Sequence, residues 1–158
     1  MQQNSSKLRF ATLLNKDEAL RIILTMLIRD KSYQTLPLRQ IHTFYQSILY
    51  NNYILMLSEN KPVAVIMWMG VTSDVKDDCL LRDRNPLVSE LVSKGDSIYC
   101  IAFTSIEPGK LLNLWRHFAK TYQDQDILIK RHFKRGKRQT SPIMLIRNQH
   151  RVKNFINL

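Results

Sequence analysis

Tyr53-Ile-Leu-Met-Leu-Ser58 and Pro62-Val-Ala-Val-Ile-Met-Trp-Met69 are two apolar runs separated by the polar Glu59-Asn60-Lys61. Runs of this length, bounded by turn residues, predict two strands joined as a hairpin. Pro62 falls at a strand start, where a missing N–H does least harm. Upstream the period changes to that of helices. Residues 16–31 open with Asp17 and Glu18 and end with Arg29 and Lys31, the polarity a helix dipole favours. Leu20, Ile23, Leu24, Leu27 and Ile28 recur at helical spacing and are expected to face the core. Pro37 suits the first turn of a second helix to about Tyr50, with Ile41, Phe44, Tyr45, Ile48 and Leu49 turned inward.

Downstream, 72–95 reads as loop with one or two short helices. Ser97–Ser105 is a third strand, apolar enough to be central. A helix follows from Gly109 to Tyr122, then strands over 127–133 and 142–147, separated by the basic turn 134–140. The order ααββ(α)βαββ predicts an α/β (α+β) domain with a mixed, largely antiparallel sheet flanked by helices. With 158 residues, 44% of them hydrophobic, and only four glycines and five prolines, the whole chain 1–158 is expected to form one domain. Residues 1–15 read as a polar N-terminal segment and 134–158 as a basic C-terminal one.

No apolar run reaches the roughly 20 residues of a membrane span, and the polar start lacks a signal peptide's order. Cys79 and Cys100 are far apart and outside any CxxC, which favours reduced thiols and a cytoplasmic location over a disulfide or zinc site. The formal charge is +11, and no acid follows Asp126. Lys130, Arg131, Lys134, Arg135, Lys137 and Arg138 crowd that region and form a candidate surface for an acidic partner, against the plainer alternative of a solvated basic face. Nucleic acid is the less favoured polyanion, since no RNP aromatic pair, GXXG clamp or helix-turn-helix pattern is present.

The chain carries no GxGxxG, Walker loop, GxSxG elbow or HExxH, and no metal site is expected. Among the histidines, His42 and His117 lie on helices expected to border the sheet and are the better proton-transfer candidates, although a structural or surface role is commoner for such residues. Asp96, just after Gly95 and before the third strand, is better placed to fix a turn than to move a proton. Trp68, Tyr99 and Trp115 could line an apolar slot, with core packing as the default.

Asn51-Asn52-Tyr53, Lys61-Pro62-Val63-Ala64, Trp68, Thr72-Ser73-Asp74, Asn85-Pro86-Leu87 and Lys94-Gly95-Asp96, in that order and spacing, resemble the RTX toxin-activating lysine acyltransferases. Gly109 with the helix to Tyr122, and then Asp124 to Arg131, continue the likeness, which covers about residues 20–135. The resemblance implies an acetyltransferase-like (GNAT-like) fold, with which the element order is compatible. It implies transfer of a fatty acyl group from acyl carrier protein, itself acidic, to lysines of an RTX-type protoxin in the cytoplasm. The donor would be acyl-acyl carrier protein, with no bound cofactor; a homodimer is compatible with the sequence.

The family's mechanism uses a histidine before the second helix and an aspartate in the central strand. By the count from Pro37 the first position holds Tyr33, and by the count from Gly95-Asp96 the second holds Ala102. A phenol with a solution pKa of about 10 is a poor base at neutral pH, and an alanine relays no proton. Two expectations follow: an acyltransferase relying on Tyr33, a substitute histidine or solvent, or a catalytically degenerate relative that binds the carrier protein or escorts the toxin.

Overall fold

The computed structural model describes residues 7–130 and 143–146. In chain order the elements are β1 (Leu8–Ala11), α1 (Lys16–Arg29), a 3-10 turn (Lys31–Tyr33), α2 (Leu38–Leu49), β2 (Tyr53–Ser58) and β3 (Lys61–Val71). After these come α3 (Ser73–Arg82), a second 3-10 turn (Val88–Glu90), β4 (Ser97–Ser105), α4 (Lys110–Thr121), β5 (Asp126–Lys130) and β6 (Ile143–Ile146). The strands form one six-stranded sheet in sequential order. β1–β2, β2–β3 and β5–β6 are antiparallel and β4–β5 is parallel, as a helical crossover through α4 requires. The expected mixed, largely antiparallel sheet is present, and β4 lies inside it. Among the described residues no helix is long and apolar enough to cross a membrane.

By internal packing the chain divides into two compact units, 1–67 with 102–118 and 68–101 with 119–158. In the first unit the hairpin turns on Glu59 and Asn60, whose φ values of 50° and 63° give the mirror-image turn that matches strand twist. Pro62 pairs with Leu57 at a register shift, where its missing N–H interrupts nothing. β1 lies within residues 1–15, where a polar N-terminal segment is expected from the sequence. It has only four residues, too few for a visible alternation, and it exists because Phe10 and its neighbours pair with β2 from Leu55 to Ser58. The buried Tyr53 hydroxyl anchors the following segment, accepting from the Leu13 N–H at 2.8 Å and donating to the Leu13 carbonyl at 3.2 Å. Burial pushes this phenol's pKa up, against the pull of the Leu13 hydrogen bond.

Both helices of this unit bury faces slightly turned from those expected. α1, capped by Asn15 accepting from the Asp17 and Glu18 N–H groups, buries Ala19, Ile23, Met26 and Leu27, while Ile28 is exposed. α2 buries Phe44 and Ile48 with Thr43 and Ser47, leaving Tyr45 and Leu49 outward. Small hydroxyl residues can sit on the inner face because each finds a backbone acceptor. Thr43 Oγ1 donates to the Arg39 carbonyl at 3.0 Å, and Ser47 Oγ to the Asn52 carbonyl at 2.6 Å.

In the second unit Val71, Cys79 and Leu128 form a buried cluster with Val75, Leu80, Leu91, Tyr99 and Leu145 against it. Trp68 is also buried, its ring edge-on to Tyr122. Both cysteines are buried thiols outside any disulfide, and burial pushes the Cys79 thiol up despite the nearby Arg84. Arg84 is held between two acids. Its Nε donates to Asp78 at 2.6 Å, and Nη1 and Nη2 grip Glu90 bidentately at 2.8 Å each. The Leu87 N–H adds a third bond to Glu90, at 2.7 Å.

The guanidinium first, then this N–H, holds the Glu90 carboxyl at about 2, down from the ordinary 4.5. Because the folded value is depressed, the ionised group stabilises the fold fully above about 4.5, and that contribution disappears as pH falls toward 2. Urea unfolding midpoints are therefore expected to drop across this window, with a shallower drop in Glu90→Gln. Equal slopes in the two proteins would show that the pair contributes nothing to acid lability.

Candidate functional site

The end of α1 determines the geometry. Asp30 leaves helical conformation (φ −89°, ψ 117°), and its N–H still donates to the Leu27 carbonyl at 3.0 Å. It then caps the following 3-10 turn: one carboxylate oxygen accepts from the Ser32 N–H at 2.9 Å, and its carbonyl accepts from the Tyr33 N–H at 2.9 Å. Asp-Lys-Ser is thus a side-chain-to-backbone turn, a pattern the residue types allow.

Side-chain hydrogen bonds fasten this turn to β4. The second Asp30 oxygen accepts from Thr104 Oγ1 at 2.7 Å, and the Tyr33 hydroxyl accepts from the Phe103 N–H at 3.1 Å. The β4–β5 register runs from Ser97 to Cys100. At Phe103 the strand N–H is instead taken by the phenol. Ala102 and Thr104 are both 2% exposed and, being two apart on a strand, share one face. Phe103 packs against Trp115, which packs against Phe118, with centroids 5.6 and 5.7 Å apart. The Tyr33 ring stands edge-on to Phe44 at 6.5 Å.

The Tyr33 hydroxyl therefore bonds the backbone N–H of Phe103, the residue that follows Ala102 on β4. The carboxylate of that cluster comes from Asp30, the residue that caps the end of α1. His42 lies on the exposed face of α2. His117 is half-buried and stacked on Phe10, with ring centroids 3.8 Å apart and planes 2° from parallel, a packing role for its ring. Asp96, in the second unit, accepts from the Ser73 N–H at 3.2 Å and Ser73 Oγ at 3.4 Å, so it fastens the start of α3. Lys130 ends β5. Arg131, Lys134, Arg135, Lys137 and Arg138 lie outside the described residues.

Chemically, the cluster offers a phenol fixed by a backbone donor and a carboxylate on a hydroxyl, beside the small buried side chain of Ala102. That combination can orient a substrate and offer a hydrogen-bond donor to developing negative charge.

Among solved structures, the fold is similar to the loading GNATL domain of CurA from Lyngbya majuscula. The TM-score is 0.57 at 12% identity, covering 78% of this chain. The matched region spans 64% of that domain's length. No curated protein sequence matches the chain. The model of the RTX toxin acyltransferase family matches residues 12–141. With most of its length matched and a GNAT-like fold beneath the match, the chain belongs to the RTX toxin acyltransferase family.

Proposed function

We propose that this protein transfers a fatty acyl group from acyl carrier protein to lysine side chains of an RTX-type protoxin in the cytoplasm. The observation that carries the reading is the Tyr33 hydroxyl held on the Phe103 N–H beside Ala102. It supports a working site because the residue that the resemblance assigns to the family's base position bonds to the strand that it assigns to the family's aspartate. Family membership supports the acyl chemistry and the toxin as acceptor.

In this reaction the neutral lysine nitrogen attacks the thioester carbonyl carbon. The C–N bond forms, the C–S bond breaks, and the sulfur leaves to be protonated as a thiol. A phenol ordinarily keeps its proton at neutral pH, so Tyr33 acts as an O–H donor to the charge that develops on oxygen or sulfur. The lysine ammonium gives one proton to solvent before attack, and the proton that nitrogen sheds as the amide forms balances the one taken up by the leaving sulfur. Positioning supplies the rest of the acceleration.

The test is incubation with acylated carrier protein and a lysine-bearing toxin fragment, read by intact mass. An acyl-sized gain on the fragment that depends on the protein is expected. Carrier binding without any gain would leave a binding or escort role, which the methyl group of Ala102 in place of a carboxylate favours. Neither gain nor binding would overturn the reading.

A further inference from the structure

The outer face of α2 is apolar although the helix already buries its inner face. Leu38 is 83% exposed, Leu49 40% and Tyr45 37%, with the exposed His42 among them. These residues lie four, seven and eleven positions along from Leu38, in the order His42, Tyr45 and Leu49. At 3.6 residues per turn they share an arc of about 60°, opposite Thr43, Phe44, Ser47 and Ile48. Such spacing is that of a seam made for a second helix.

The charge around the seam selects the partner. No acidic residue occurs between Asp30 and Glu59, whereas the exposed Lys31 and Arg39 flank the stripe's start. In a chain of net charge +11, a second copy would bring like charge to like, while an acidic helix would be attracted.

We infer that the Leu38–His42–Tyr45–Leu49 face of α2 is the docking seam for an amphipathic helix of the acidic acyl donor, the carrier protein. This inference rests on the reaction proposed above. The placement is functional as well as complementary. Leu38 follows Tyr33 by five residues, so the head of α2 lies within about 17 Å of the Tyr33 backbone. The seam holds the donor protein while the site handles its acyl group.

Calorimetric titration of the full chain with acylated carrier protein tests this, comparing wild type with Leu38→Asp and Arg39→Glu. Leu81→Asp serves as control, because Leu81 is 85% exposed and belongs to α3 rather than to the helix that carries the stripe. Each stripe variant is expected to weaken binding about tenfold or more, with an unchanged melting curve, and the control to bind as wild type. Equal binding by wild type and both stripe variants overturns the seam and leaves the acyl-transfer reading intact. A wild type that binds no carrier overturns both. Wild-type dimers that dissociate on Leu38→Asp, with carrier binding unchanged, would assign the seam to a second copy and overturn the inference.

Discussion

Tyr33→Phe is expected to slow acyl transfer by about 100-fold, the lower end of what a positioned proton donor contributes. The substitution removes one oxygen and keeps the ring, so the edge contact with Phe44 survives. Two things are lost together: the O–H donor and the acceptor for the Phe103 N–H. Leaving that N–H unsatisfied costs about 1–3 kcal/mol if water does not replace the phenol. A stability loss alone would leave the rate per folded molecule unchanged, so transfer is measured well below the variant's melting point. A variant as fast as wild type there would remove Tyr33 from the chemistry. A slowed variant with unchanged carrier affinity would place the loss in the transition state rather than in docking.

The second large effect concerns two glycines of the second unit. A Cβ on Gly70 would lie 2.3 Å from the Gly95 nitrogen and 2.7 Å from the Lys94 carbonyl carbon. A Cβ on Gly95 would lie 2.3 Å from the Val71 oxygen and 2.5 Å from its nitrogen. Every obstacle is backbone, so no rotamer change relieves it. The contact is fixed on both sides. Gly70 exchanges hydrogen bonds with Val92 at 2.8 and 2.9 Å, and the Gly95 carbonyl accepts from Gln125 at 3.0 Å.

Gly95→Ala is expected to cost about 3 kcal/mol, the upper range for overpacking, and so to lower the melting midpoint by about 10 °C. Gly70→Ala should behave alike. Because each removes the same close approach, the double variant should cost less than the sum. Strict additivity, or a midpoint unchanged by either substitution, would mean that the two backbones do not meet.

The sequence by itself determined the elements with strong local signals. The β2–β3 hairpin followed from two apolar runs around a polar turn, and α1, α2 and α4 from their 3.6-residue period. β4's near-continuous apolar run placed it within the sheet. The family followed from motif order, because short motifs at fixed spacing survive as text.

Tertiary structure decided what depends on partners distant in sequence. β1 is too short to announce itself and is defined by pairing with β2. Which arc of α1 or α2 is buried could not be settled by periodicity, since each helix carries apolar residues on more than one face. Tyr45 and Leu49, expected to face inward, are exposed because Phe44 and Ile48 take the core side.

At the site, no local pattern announced that the Tyr33 hydroxyl takes the Phe103 N–H. The Asp30–Thr104 and Tyr33–Phe103 bonds span 74 and 70 residues, and no local pattern encodes such closures. Local chemistry selects helix, strand and turn. Which carboxylate reaches which strand is set by how the turn after α1 seats on β4, and that is a property of the folded chain alone.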